Sequence, residues 1–247
     1  MESNENFKDK PSKRSSSRLG IMISGGKDGL YASYLMKKNN YNLSCIITIK
    51  SKNPDSYMFH TPNIDITSLQ AESMDLPLLE KETEGIKEKE LRDLYDVIRE
   101  AKEAYDIDGI VTGAIFSKYQ KERIENICEE LELEVYSPLW HLNQEDEMRS
   151  LLNEGFKIIF SSVACYGLGK KWLGKKITHR DVDELVRLNN AFGLNIAGEG
   201  GEFESLVLDC PMFKKRIVIK EKIIISESED VARLLIKKAE LAEKDSF

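Results

Sequence analysis

An apolar run that stops at two adjacent glycines constrains the fold of this chain more than any other segment. Residues 19–23 are apolar and have the composition of a buried strand, and a helical pattern begins at Leu30. The residues of the turn between them, which we call the glycine turn, are Ser24, Gly25, Gly26 and Lys27. A strand that passes so abruptly into a helix leaves backbone N–H groups unpaired at the positive end of the helix dipole. The glycine turn is therefore predicted to bind phosphate.

The side chains in and after the turn support this prediction. Gly25 and Gly26 allow a bulky anion to approach the backbone closely. Ser24 adds a hydroxyl donor and Lys27 a positive charge, while Asp28 in the first helical turn suits the helix dipole or supports a cation beside the phosphate. The alternative is a tight turn that needs glycine and binds nothing.

Two common phosphate loops do not match this turn. The nucleotide-triphosphatase loop requires Gly and Ser or Thr where this chain has Ile21 and Asp28, and the dinucleotide fingerprint G-x-G-x-x-G is absent here. The segment instead resembles the Ser-Gly-Gly-x-Asp-Ser pyrophosphate loop of the adenine nucleotide alpha hydrolase superfamily. Those enzymes split ATP between its α and β phosphates. Gly29 replaces the final Ser of that motif, so one hydroxyl contact to phosphate is missing.

Strands and helices alternate along residues 18–137, with connections long enough for crossovers. This pattern predicts an α/β fold with a doubly wound parallel sheet. The resemblance to the adenine nucleotide alpha hydrolases implies that this fold is of the HUP type. Strands are expected near 19–24, 43–49, 78–79, 107–113 and 133–137, and helices near 28–39, 65–75, 86–105 and 118–131. Ligands bind at the carboxyl ends of such strands. The glycine turn, Thr112-Gly113-Ala114 and Ser137–Trp140 are therefore expected to meet in one crevice. Trp140 is expected to pack in the core; the alternative is that it forms part of a cage for a cation.

A second motif lies at residues 198–205, which we call the glutamate segment. This segment contains two adjacent glycines, Gly200 and Gly201. Three carboxylates surround them, those of Glu199, Glu202 and Glu204. Carboxylates this close repel one another unless they meet cations or an amine. The alternative is an acidic hairpin on the surface.

The two motifs together resemble the diphthine–ammonia ligase family. Further stretches fit the family in the same order: residues 111–115, Tyr119-Gln120, 123–125, Cys128, 137–140 and 206–209 followed by Pro211. The resemblance covers residues 18–220. It implies that ATP and ammonia amidate diphthine, a modified histidine of the translocating translation elongation factor, through an acyl-adenylate. The products are diphthamide, AMP and pyrophosphate. Extra C-terminal domains, expected in eukaryotic members, are absent, so the chain resembles a compact archaeal form.

The resemblance also implies a role for each part of the chain. Residues 18–137 form an ATP-binding domain and 138–226 a smaller α/β substrate domain. Independently of the resemblance, the polar and aperiodic residues 1–17 are expected to be a disordered tail, and 227–247 a helix. Candidate catalytic residues are Lys27, Glu199, Glu202 and Glu204. Candidate nucleotide contacts are Ser24, Gly25, Gly26, Lys27, Asp28, Gly29, Thr112, Gly113 and Ala114, with Asp28 supporting Mg²⁺. Candidate substrate contacts are Tyr119, Gln120, Arg123, Gly198, Gly200 and Gly201; the alternative for residues 119–123 is an ordinary helix surface.

Composition narrows the remaining possibilities. The net charge of −7 disfavours a nucleic-acid binder, which would show a basic face. No apolar run reaches the roughly 18 residues of a membrane span, and no signal peptide is recognisable. The four cysteines are scattered and show no metal-site spacing. We therefore expect a cytoplasmic protein with buried, reduced cysteines. A pyrophosphate-loop enzyme that modifies tRNA and a non-catalytic ATP-binding module remain as alternatives; oligomeric state stays open.

Overall fold

A five-stranded parallel sheet organises the first half of the chain. The computed structural model describes residues 16–53, 63–113 and 118–244, with residues 118–120 described only as part of their helix. The strands are β1 (Arg18–Met22), β2 (Asn42–Ser51), β3 (Leu78–Thr83), β4 (Gly109–Val111) and β5 (Glu134–Tyr136). Their order is β3-β2-β1-β4-β5, and every neighbouring pair is parallel. The predicted α/β class and parallel sheet are confirmed.

Helices cover both faces of this sheet, as a doubly wound fold requires. They are α1 (Lys27–Lys38), α2 (Ile66–Met74), α3 (Glu90–Tyr105) and α4 (Lys118–Glu130). Successive side chains of β2 point to opposite faces of the sheet. Cys45 and Ile47 join the hydrophobic cluster that contains residues of α3 and α4, whereas Ile46 joins the cluster that contains residues of α1 and α2. The strands therefore read as continuous apolar runs.

A four-stranded antiparallel sheet organises the second half. Its strands are β6 (Lys157–Ala164), β7 (Phe203–Asp209), β8 (Arg216–Ser226) and β9 (Val231–Ala242), in the order β7-β6-β9-β8. Two helices accompany it, α5 (Gln144–Asn153) and α6 (His179–Phe192), with a 3₁₀ turn at Lys170–Trp172. The core of this unit and the α1–α2 side of the first sheet form one continuous hydrophobic cluster. The predicted second α/β unit is confirmed.

The predicted helix at 227–247 is wrong, because this segment forms strand β9. Lys, Glu, Ala and Leu favour a helix locally, but β9 pairs antiparallel with β8 from Ala232 to Ala242 and with β6 from Val231 to Arg233. The buried side chains of Ala232 and Leu234 alternate with exposed Arg233, which is the period of a strand. Strand β8, which precedes it, is interrupted by register shifts near Glu221.

Two further expectations concern the termini and membrane insertion. The predicted disordered tail at 1–17 lies, up to residue 15, outside the described residues, and the Ser17 carbonyl accepts a hydrogen bond from the Asn42 N–H. Within the described part of the chain, no helix has the length and apolar character needed to cross a bilayer.

The alternation in β9 predicts unequal effects of two neighbouring substitutions. Leu234 is fully buried, so Leu234→Ala should lower the free energy of unfolding by about 2–4 kcal/mol. Leu235 lies on the opposite, partly exposed face, and Leu235→Ala should cost less than about 1 kcal/mol. Urea unfolding of both variants measures the difference; equal losses would contradict the assigned strand register.

Candidate active site

The glycine turn lies at the carboxyl end of β1, beside the carboxyl end of β4. The chain runs from β1 outward to β2 and β3 and returns to β4 on the other side, so the crevice between β1 and β4 is the topological switch point of the sheet. Helix α1 begins at Lys27 with Gly26 as its N-cap. The Ser24 side chain is exposed at this position. The predicted position of the turn at a strand end and helix start is confirmed.

Strand β7 of the second sheet runs along the glycine turn and fixes its shape. The Gly25 carbonyl accepts hydrogen bonds from the Val207 N–H at 3.0 Å and from Gln70 Nε2 at 3.0 Å. Gln70 Nε2 also donates to the Val207 carbonyl at 2.9 Å, and the Lys27 N–H donates to Ser205 Oγ at 3.0 Å. Gly25 adopts a φ of +90°, which glycine tolerates best. The turn is therefore held by both units of the protein.

The Lys27 ammonium is buried and surrounded by carboxylates. Its side chain is 1% exposed, and Nζ pairs with the Asp28 carboxylate and with Glu147 Oε1, the latter at 3.2 Å. Burial lowers the pKa of Lys27, but Asp28, Glu147 and Glu199 together hold that pKa above its ordinary value. Lys27 therefore remains positively charged in the interior, where its charge acts through a low dielectric.

Glu147 was missed in the sequence analysis and lies at the centre of this cluster. It projects from α5 and is completely buried, and its Oε2 has no hydrogen-bond partner. Burial and the negative charge of Asp28 raise the pKa of Glu147 to about 8, and the positive charge of Lys27 opposes this rise. The sequence held one signal for this position. The apolar residues Met148 and Leu151 follow Glu147 on the same helix and are fully buried, so Glu147 lies next to the inward face of that helix.

Two carboxylates of the glutamate segment lie near Lys27. Burial, together with the charges of Asp28 and Glu199, raises the pKa of Glu204 to about 7 against the opposing charge of Lys27. Glu199 also contributes to the raised pKa of Lys27. Lys27, Asp28, Glu199 and Glu204 thus form one electrostatic cluster, although the two motifs are far apart in sequence. Titratable groups with mutually perturbed pKa values mark candidate functional sites.

Glu202 is engaged differently from Glu199 and Glu204. Its Oε1 accepts the Asn195 N–H at 3.1 Å and its Oε2 accepts the Gly200 N–H at 2.9 Å. The carboxylate therefore closes the loop that carries Gly198, Gly200 and Gly201.

The end of β4 closes one side of the crevice by direct backbone contact. A Cβ added at Gly113 would lie 2.4 Å from the Gly29 nitrogen, and one added at Gly29 would lie 2.6 Å from the Met22 carbonyl oxygen. Glycine at position 29 therefore suits the packing between α1 and β1. Thr112 is buried and its N–H donates to the Tyr136 carbonyl. Ala114 lies outside the described residues.

Helix α4 carries the remaining predicted contacts. The side chains of Tyr119 and Gln120 lie outside the described residues. Arg123 pairs with Glu88 at 2.6 Å, from the loop that precedes α3. The expectation that Trp140 packs in the core is wrong, because its ring is partly exposed and the Lys121 ammonium lies over it, 4.3 Å from the centroid.

The chain is an α/β protein with a glycine turn at the switch point of its parallel sheet. Comparison with known proteins gives its family. The family models of the diphthamide synthase N-terminal and C-terminal domains match residues 17–135 and 143–241. The chain belongs to the diphthamide synthase family.

Its relatives include proteins named diphthine–ammonia ligase. The mouse protein is 34% identical over 93% of this chain and 94% of its own length, and the human protein is 33% identical over 86% of each. The fission yeast protein is 35% identical, but the match covers 39% of its length. Compact chains therefore also occur in animals, and length does not distinguish an archaeal form.

Among solved structures, a U34-tRNA thiolase of Methanococcus maripaludis matches 77% of this chain at 12% identity, covering 71% of that structure with a TM-score of 0.40.

The raised pKa of Glu147 predicts a pH-dependent loss of stability. Folding moves this pKa from 4.5 to about 8, so between these values the folded state binds more protons than the unfolded state, and stability falls as pH rises. Relative to Glu147→Gln, which cannot ionise, the wild-type free energy of unfolding should fall by about 3 kcal/mol between about pH 5 and pH 8.

Denaturant unfolding at a series of pH values measures this difference. Glu145→Gln is the matched control, because Glu145 lies at the surface of the same helix and pairs with Arg149. The control should follow the wild-type curve across this range. Parallel curves for the wild type and Glu147→Gln would contradict the burial of an ionisable Glu147.

Proposed function

We propose that this chain catalyses the ATP-dependent amidation of diphthine on the translocating translation elongation factor, with ammonia as the nitrogen donor. The products are diphthamide, AMP and pyrophosphate. The observation that carries the proposal is the contact between the two motifs: the Lys27 N–H of the glycine turn bonds Ser205 of the glutamate segment. A nucleotide on the turn and an acceptor beside the glutamates would thus share one site.

The glycine turn would bind the phosphates of ATP. Ser24 offers an exposed hydroxyl, and the N-terminus of α1 offers backbone N–H groups and a positive dipole end. Thr112, Gly113 and Ala114 would border the nucleotide from the end of β4. Gly29 contributes close packing rather than a hydroxyl.

The donor set near the turn fits Mg²⁺ bound together with ATP. Among the described residues, no group of three or more His, Cys, Asp or Glu side chains is arranged to hold a metal alone. Mg²⁺ commonly uses one or two carboxylates together with substrate phosphates. Asp28, which is partly exposed beside Lys27, is the carboxylate we propose for this role. When bound, Mg²⁺ would neutralise phosphate charge.

Lys27 would stabilise the negative charge that develops as pyrophosphate leaves. A carboxylate is a poor electrophile, because attack by ammonia would have to expel oxide. Transfer of the adenylyl group to the diphthine carboxylate supplies AMP as the leaving group. Since Glu147 and Asp28 already hold the Lys27 ammonium in place, little reorganisation is needed when charge develops.

Glu204 and Glu199 would bind the cationic acceptor and accept a proton from ammonium. With a pKa of about 7, Glu204 can take a proton from ammonium near neutral pH. The trimethylammonium group of diphthine is a fixed cation, and the two carboxylates provide the opposite charge. Glu202 would act by holding the loop of Gly198, Gly200 and Gly201 against the acceptor. Tyr119, Gln120 and Arg123 would approach from α4.

The enzyme would encounter the elongation factor in the cytoplasm, where translation takes place. Nucleic acid is not part of the proposal. Family membership favours the ligase over a tRNA-modifying enzyme or a non-catalytic ATP-binding module, and no contact in the described part of the chain favours either alternative.

The proposal predicts AMP formation that depends on every component. The purified protein is mixed with ATP, Mg²⁺, ammonium and the diphthine-bearing elongation factor, and each is omitted in turn. AMP should form only in the complete mixture, and the mass of the factor should change by replacement of a hydroxyl by an amino group. Lys27→Met should lower kcat by about 100-fold or more.

Lys37→Met is the matched control, because Lys37 is an exposed lysine on the same helix. It should keep wild-type activity. AMP formed without the mass change, or a mass change without ATP, would contradict the proposed reaction.

A further inference from the structure

One face of the second sheet packs against the core over most of β6, β7 and β9. The other face is exposed mainly where β8 and β9 form it. Toward β7 that face is partly covered, since Leu206, on the same side as Glu204, is 1% exposed. Along β6, Val163 is buried, whereas Ser162 is partly exposed and Ala164 is exposed. Along β9, Ala232 and Leu234 are buried, whereas Arg233 is exposed. An antiparallel sheet can present one solvated face in this way. We call the side that carries Ser162 and Arg233 the open face.

The strand register places Glu204 on the open face. Ser162 lies opposite both Glu204 of β7 and Arg233 of β9, and Arg233 lies opposite Ile225 of β8. Residues directly opposite each other in a sheet point to the same side. A row of side chains therefore crosses all four strands, from Glu204 to Ile225, over about 14 Å.

The far end of the open face is apolar. Ile223 lies opposite Leu235 in the next row, and Ile223 is 50% exposed. In the described part of the chain, neither residue belongs to, or packs against, the two hydrophobic clusters, and Ile225 is also outside them. Exposed apolar surface that continues from a candidate active site commonly marks an interaction surface.

We propose that the open face is the docking surface for the folded protein substrate. This inference rests on the proposed function, in which the reacting carboxyl belongs to a side chain of a folded protein. Such a substrate must contact the enzyme surface around Glu204, and the open face is continuous with Glu204. A stable interface needs about 800 Å² on each partner, which is more than the immediate surroundings of one side chain provide.

The charges on this face favour a protein partner. Arg233 is the basic side chain of the Glu204–Ile225 row and lies 3.6 Å from Glu227, while Glu204 supplies a negative charge at the other end of the row. A nucleic-acid surface would instead carry a basic stripe. A surface with a carboxylate at one end and apolar side chains at the other fits a protein that presents a cationic side chain and makes apolar contacts around it.

Two neighbouring residues of β8 provide the test. Ile223 and Ile224 are 50% and 42% exposed and point to opposite faces, because Ile224 pairs with the buried Leu234. Ile223→Glu should raise the KM for the diphthine-bearing factor about tenfold, as expected when one contact of an interface is lost. Ile224→Glu should leave that KM unchanged. The KM for ATP should stay unchanged in both, which also shows that the site is folded.

Arg233→Ser is a second variant on the open face and should also raise the KM for the factor. Equal KM values for the factor in the wild type, Ile223→Glu and Arg233→Ser would overturn the docking surface while leaving the proposed function intact. A changed molecular mass in light scattering with an unchanged KM would make the open face a contact between copies of this chain, and would also overturn it. No amidation by the wild type would remove the proposed function and the docking surface together.

Discussion

The buried ammonium of Lys27 is the interaction on which the site depends. A lysine side chain that is 1% exposed keeps its charge only when polar partners replace the water it has lost, and the Asp28 carboxylate and the Glu147 carboxyl group do so. These partners come from the start of α1 and from α5, so the environment of the ammonium requires the second unit to pack against the first. Removing one partner would leave uncompensated charge in the interior.

The same packing explains why catalysis would need both units. Strand β7 bonds the glycine turn through Val207 and Ser205, and Gln70 of α2 ties the turn to β7 from the other side. Glu204 is part of the same strand and is therefore held near Lys27. In the proposed function, phosphate binding and acceptor chemistry would thus share one framework, which is what preorganised electrostatic catalysis requires.

Much of the fold and part of the site could be predicted from the sequence, for physical reasons that differ between elements. The glycine turn was recognisable because a strand, two glycines and a helix start follow one another within a few residues. Glu147 was not, because its role depends on α5 packing over Lys27, and a carboxylate in a helix usually faces water. Strand β9 was mistaken for a helix because its Lys, Glu and Ala content favours a helix, while pairing with β6 and β8 is a tertiary effect.

The central claim is that Lys27 and the glutamate segment form one site that adenylates a carboxylate. The most direct test uses elongation factor whose diphthine carboxylate carries ¹⁸O, with the products separated after amidation. Attack of the carboxylate on the α-phosphorus, followed by displacement of AMP by ammonia, leaves one carboxylate oxygen in the phosphate of AMP. The account predicts ¹⁸O in AMP and none in pyrophosphate. Label in inorganic phosphate together with ADP, or in no phosphate product, would contradict it.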